Sequence, residues 1–170
     1  MRAHRLLTAS LVLIAAFAQA ADNKPVSSFD AKAAFDRMAT LVGEWQADTS
    51  MGKASITYEL IAGGTVLVER ESAARMPTMM TMYHLDGERL VLTHYCAAGN
   101  QPRMQARSFD PEAGLLRFEF LDATNLGKDA GHMRNATLHF VDKENFAAVW
   151  EFYQGGQQKS AENFQYSRVR

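Results

Sequence analysis

The chain has 170 residues, 18 of them Lys or Arg against 19 Asp or Glu, for a formal net charge of -1 with histidine neutral. A near-neutral chain without clustered lysine and arginine carries no electrostatic footprint for nucleic acid or for an anionic membrane surface. Cys96 is the only cysteine, which excludes an internal disulfide, so the fold has to rest on its hydrophobic core.

The first residues have the three regions of a secretory signal peptide. Arg2 and Arg5 supply the positive charge, Leu6 to Phe17 is an apolar stretch, and Ala18-Gln19-Ala20 is a small-x-small cleavage site. At roughly a dozen residues the apolar stretch is well short of the ~20 that span a bilayer. The expectation is a signal peptide over 1–20, a short flexible leader over 21–28 and one domain over 29–170. The mature chain is expected to be periplasmic or secreted from a bacterium, with no membrane span and no cysteine near the cleavage site to carry a lipid.

A short helix follows. Ser27 or Ser28 offers an N-cap, Asp30 falls in the first turn where the helix dipole favours it, and Phe29, Ala33, Met38 and Leu41 recur near helical spacing. Placed before a run of strands, it reads as a plug for one end of them.

Leu41-Val42-Gly43-Glu44-Trp45 then opens a succession of alternating segments that reaches the C-terminus. Period-two patterning predicts strands at 44–49, 53–62, 65–72, 78–85, 89–96, 103–109, 115–121, 132–141, 146–153 and 158–169. Met51-Gly52, Gly63-Gly64, Asp86-Gly87, Asp110-Pro111 with Gly114, and Gly155-Gly156 separate them. Such short connections allow only antiparallel neighbours. The predicted fold is all-β: an antiparallel up-and-down barrel of about ten strands, with one N-terminal helix closing an end. The stretch Asp122 to Gly131 is the one long connection, and reads as a mobile flap over a mouth.

Alternation also sorts the faces. A two-residue Asp86-Gly87 turn pairs Leu85 with Glu88 and puts Met79, Thr81, Tyr83, Leu85, Leu90, Leu92, His94 and Cys96 together on the more apolar face, read as inward. Nearer the C-terminus His139 is grouped with Met133, Asn135, Thr137, Phe146, Trp150 and Phe152, with Trp150 and Phe152 read as inward.

Familiar catalytic signatures are absent: no Gly-x-Ser-x-Gly elbow, no His-Glu-x-x-His, no Cys-x-x-Cys, no Gly-rich phosphate loop. His94 and Cys96, two apart on one strand face, pair an imidazole with a thiol, both ligands for zinc, copper or haem iron, with His139 or His84 to complete a set. The other reading of His94 is a buried histidine satisfied by Tyr83 or a carbonyl. Tyr166 and Arg168, also two apart, are either an anion-binding pair inside the barrel or, through Arg168 on Trp45, a cation-π closure of it. Asn100 and Arg103 stand at a barrel mouth, where amide and guanidinium groups orient a ligand. Tyr83, His94, Cys96, Asn100, Arg103, Trp150, Tyr166 and Arg168 are the candidate ligand contacts.

Through Gly43-Glu44-Trp45 after a closing helix, the run of hairpins and the last strand Phe164-Gln165-Tyr166-Ser167-Arg168, the chain resembles the calycin-like barrels: lipocalins, fatty-acid-binding proteins and nitrobindin-like proteins. It also looks like an uncharacterised exported bacterial family, through Met82-Tyr83-His84-Leu85-Asp86-Gly87, Thr93-His94-Tyr95-Cys96 and Gly99-Asn100-Gln101-Pro102-Arg103-Met104. The resemblance implies a container for one small apolar or amphipathic molecule, with no cofactor. Its nitrobindin-like members imply haem held by a late histidine, for which His139 is an approximate positional match. A haem- or transition-metal-binding barrel with redox or isomerase activity is thus the alternative, and a filled barrel that binds a partner is the third reading.

Overall fold

The computed structural model describes residues 29–49 and 52–170. The signal peptide, the flexible leader, Ser27, Ser28 and Met51 lie outside the described residues. Ten strands and one helix account for most of the rest: α1 (Ala31–Ala39), β1 (Gly43–Thr49), β2 (Gly52–Ile61), β3 (Val66–Ala73), β4 (Met76–Asp86), β5 (Arg89–Tyr95), β6 (Gln101–Asp110), β7 (Leu115–Thr124), β8 (His132–Phe140), β9 (Asn145–Gln154) and β10 (Gln157–Arg168). Every neighbouring pair is antiparallel, and β1 pairs with both β2 and β10, so the sheet closes on itself. The closing seam is short: β1 and β10 pair at Trp45–Arg168 and Gln46–Ser167.

Asp30 is the cap of α1 and not a first-turn residue: its carboxylate accepts from the Ala33 amide at 2.9 Å. That bond satisfies one of the amides that a helix start leaves unpaired. Ala31, Ala34, Phe35 and Met38 form the buried stripe, and α1 lies over the ends of β4 and β5. The helix therefore stops one end of the barrel, together with the connections after β2, β4, β6 and β8. Among the described residues no helix is long and apolar enough to cross a membrane.

Gly43 explains the start of β1. Its φ is +127°, and a Cβ there would lie 2.7 Å from Nη1 of Arg168. Only glycine admits both the backbone angle and the guanidinium. Trp45 follows with its indole N–H donated to the Leu41 carbonyl at 2.7 Å and its ring edge-on to Phe146.

The predicted faces of β4 and β5 hold, since Met79, Thr81, Tyr83, Leu90, Leu92 and His94 are all buried. The partners are shifted: Asp86 pairs with Arg89 and Leu85 with Leu90, so Gly87-Glu88 forms the turn. On β8 the predicted grouping is corrected. Phe140 pairs with Phe146, Leu138 with Ala148 and Ala136 with Trp150, and these six face inward. That pairing leaves 141–145, an odd number of residues, between Phe140 and Phe146, and an odd spacing reverses the parity of one strand against the other. His139 is consequently exposed on the outer face, opposite Ala147.

The long connection is also shorter than predicted. β7 continues through Asp122 and Thr124, leaving 125–131 to cross to β8. That segment is tied down: Asn100 donates to the Gly131 carbonyl at 2.8 Å, and Gln101 accepts from Thr124 and Asn125.

Candidate functional site

Registers alone assemble the polar centre of the barrel. Tyr58 on β2 pairs with Glu69 on β3, Glu69 with Thr81 on β4, and Thr81 with His94 on β5. Four successive strands thus contribute one inward polar residue each, at one level. All four are buried.

Glu69 is the hub. One of its oxygens accepts from Tyr58 and from Tyr83, each at 2.7 Å, and the other from Thr81 at 3.1 Å. Thr81 Oγ1 also lies 3.0 Å from Nδ1 of His94. Burial pushes the Glu69 carboxyl above its ordinary range, against the pull of the three hydroxyl donors. It also lowers His94 to about 4, so the imidazole is neutral at ordinary pH. The phenols of Tyr58 and Tyr83 are held well above their usual range, first by burial and then by the Glu69 charge. They remain donors.

Toward the end opposite α1, Glu71 follows Glu69 on the same face and accepts from Tyr166 at 3.4 Å. Burial, with the charges of Glu69 and Glu162 added, raises Glu71 to about 7. Cys96 is half-buried there, and burial pushes its thiol up. Across the lumen the His94 ring lies 5.0 Å from that of Trp150, tilted by 37°. Because β5 and β9 stand on opposite sides of the barrel, this contact is a floor.

Below the floor the interior is closed to solvent: Leu67, Tyr83, Leu92, Met104 and Leu116 are 0% exposed. Glu71, Met79, Trp150 and Met133 retain 7–8%, and all four lie toward the end away from α1. The barrel is therefore closely packed through its middle, and the little exposure its inner face keeps is at the end away from α1, the cup end. Three buried side-chain atoms lack a partner among the described residues: Nε2 of His94, Oδ1 of Asn100 and Nε2 of His132. All belong to the cup end. A concavity of about 710 Å³ at the opposite end, between Phe29, Asp30 and the β4–β5 turn, brings together no such atom.

Of the residues singled out from sequence, Tyr83, His94, Cys96, Trp150 and Tyr166 face the lumen, and Asn100 is buried at its rim. Arg103 is exposed on the outside, paired with Asp122 at 2.7 Å. Arg168 sits at the α1 end, its guanidinium spent on the carbonyls of Thr40, Val42 and Lys143 and stacked 4.1 Å over Trp45. It makes no anion-binding pair with Tyr166. His139 is outside, and among the described residues no three His, Cys, Asp or Glu side chains converge to hold a metal ion. Sequence reasoning missed Tyr58, Glu69, Glu71 and Glu162. The signal for the two β3 carboxylates was the hairpin register from β4, which carries Thr81 across to Glu69 and Met79 to Glu71.

The sequence matches none of the protein-family models and none of the curated proteins with which it was compared. Solved structures share its fold. A protein of unknown function from the DUF3598 family, from Nostoc punctiforme, superposes with a TM-score of 0.53 at 13% identity, over 78% of this chain and 49% of that one. This chain thus spans about half the length of that protein. Rv2717c from M. tuberculosis gives 0.54 at 13% identity, over 81% of this chain and 98% of its own. At such identity the likeness is one of fold alone.

Proposed function

We propose that the protein is an exported, calycin-like barrel that binds one small amphipathic molecule in the cup opposite α1. The observation that carries this reading is Nε2 of His94: 3% exposed as a residue, next to an aromatic floor, and without a hydrogen-bond partner. A buried polar atom left unpaired is costly, and a ligand that bonds it recovers that cost. Trp150 and Phe152 supply apolar surface beside it. The leader pattern in residues 1–20 supports the exported location.

Native mass spectrometry and an absorption spectrum of protein purified from its own host test this. The expected result is a retained organic molecule that Trp150→Ala releases. A ligand-free protein that takes up no small molecule overturns the reading in favour of a barrel that acts through its surface.

The same bare nitrogen favours a second reading, in which His94 is the protein's ligand to a haem iron. Haem there would supply gas binding or one-electron chemistry. His139 does not fit that role, because it is on the outer face. A haem band lost in His94→Ala is the result that selects this reading.

A further inference from the structure

Tyr95 apart, the large apolar side chains left exposed among the described residues are all at the α1 end: Val42, Leu60, Ile61, Leu115, Val141 and Val169. Three of them stand beside one concavity. Val42 follows Leu41 in the chain, Val141 precedes Asp142 and Val169 follows Arg168, and Leu41, Asp142 and Arg168 all line a space of about 200 Å³ whose floor is Trp45 and Phe140.

Its wall is basic. Arg37, Lys143 and Arg168 line it against one carboxylate, Asp142. That carboxylate is engaged in its own turn, accepting from the Glu144 amide and from Nδ2 of Asn145, bonds that hold its pKa below the usual range. Arg168 is engaged too, on the carbonyls of Lys143, Val42 and Thr40. Arg37 and Lys143 are not. Lys32, Lys53, Arg89, Arg103 and Arg107 each have a carboxylate within ion-pair distance, whereas among the described residues neither Arg37 nor Lys143 has one.

A basic side chain in the last turn of a helix ordinarily serves the unpaired carbonyls there. At the end of α1 those carbonyls are already taken. The Arg37 carbonyl accepts from the amide and hydroxyl of Thr40, Met38 from the Leu41 amide, Ala39 from the Val42 amide and Thr40 from Arg168. The Arg37 guanidinium lies instead 5.0 Å over the Phe140 ring. Stacked in that way, its planar fork of N–H groups keeps its edge for an acceptor.

We propose that this concavity is a second binding site, for an amphipathic monocarboxylate, with the carboxylate between Arg37 and Lys143 and the apolar tail across Val42, Val141 and Val169. The space is smaller than the ~300 Å³ of drug-sized sites, so it takes a head group and leaves the tail on the valine rim. One negative charge suits it better than two, because a dianion would also face Asp142 and the carbonyls that end α1. A guanidinium meets a carboxylate with two parallel hydrogen bonds. The site is at the opposite end of the barrel from the cup, and neither reading depends on the other.

The two tryptophans of the chain mark the two ends, Trp45 at this concavity and Trp150 at the cup, so their indole N–H resonances report each site separately. Isotope-labelled protein is titrated with octanoate, octanol and acetate. Octanoate is expected to shift the Trp45 resonance at lower concentration than either of the others. Arg37→Gln and Lys143→Gln each weaken octanoate about three- to fivefold, the scale of a partly exposed ion pair, and leave octanol unchanged, with near-ultraviolet circular dichroism confirming the fold. Added sodium chloride acts in the same direction. A Trp45 resonance that octanoate leaves unmoved, or variants that bind octanoate like the wild type, overturn the proposal. Octanol that binds as tightly as octanoate overturns the charge assignment, and a shift confined to Trp150 removes this site while the cup reading stands.

Discussion

Arg168 lies 4.1 Å over the ring of Trp45, and its three guanidinium nitrogens reach the carbonyls of Lys143, Val42 and Thr40. One side chain thereby joins the last strand, the residues that end α1 and the β8–β9 connection. Arg168→Met keeps the length and removes the charge. The expected loss is about 2–4 kcal/mol of unfolding free energy, from the cation-π contact and the charge-assisted hydrogen bonds. Ligand binding at the cup end stays as in the wild type. Urea unfolding beside a binding titration checks both, and weakened binding without lost stability would return Arg168 to the ligand site.

Gly43 is the counterpart of that arginine. Ala at this position has to adopt a φ of +127° and place its Cβ 2.7 Å from Nη1. Gly63 has a φ of +68° but open space around it. Gly43→Ala is therefore expected to cost about 2–3 kcal/mol against about 1 kcal/mol for Gly63→Ala. Equal thermal shifts in the two variants would show that the guanidinium yields freely.

Opposite pH effects are built into the polar centre. Glu71 ordinarily titrates near 4.5 and is raised to about 7 in the folded chain, so between those values the native state binds more protons than the unfolded one. Its contribution to stability is present at low pH and lost, by about 3 kcal/mol, as pH rises through that window. His94, ordinarily near 6.5 and lowered to about 4, works the other way: its contribution is lost as pH falls from 6.5 toward 4, by a similar amount. The two offset each other over the shared part of the range, and Glu69, also raised, tips the balance toward weakening with pH. Denaturant midpoints across pH 4–8 should decline gently in the wild type. His94→Gln steepens that decline, and Glu71→Gln makes it shallower. Parallel profiles in all three proteins would contradict the burial of a neutral imidazole beside raised carboxyls.

The strands were legible because period-two alternation and Gly-containing turns are local signals. The faces of β4 and β5 were legible for the same reason, even with the turn displaced to Gly87-Glu88, since an even shift preserves parity. β8 was not, because its parity depends on whether the spacing between Phe140 and Phe146 is odd or even, and Val141 to Asn145 carries no residue that dictates the count. The acidic site was hidden more deeply. On β3, Val66 and Val68 alternate with Leu67 and Glu69, so local pattern assigns Glu69 and Glu71 to solvent. Only three consecutive registers reveal that Tyr58, Glu69, Thr81 and His94 stand in a row. Arg168 was left between two roles by sequence, and the choice followed from where its strand ends relative to Trp45.

The rim of the cup depends on Asn100, which is 1% exposed and donates to the Gly131 carbonyl at 2.8 Å. Gly131 in turn lies against Phe152: a Cβ there would meet the ring at 2.2 Å. The segment 125–131 is thus fastened by a side-chain hydrogen bond on one side and a close ring on the other. Asn100→Ala leaves that carbonyl without its donor. The expected loss of stability is about 1–2 kcal/mol, and hydrogen exchange should accelerate selectively over 125–131 while β7 and β8 keep their protection. Asn100→Asp separates the bond from simple packing, because it keeps the volume but offers no N–H to the carbonyl. If Asn100→Asp exchanges like the wild type, the hydrogen bond is not what holds the rim. If it matches Asn100→Ala, the amide is the latch, and ligand release should quicken in both variants.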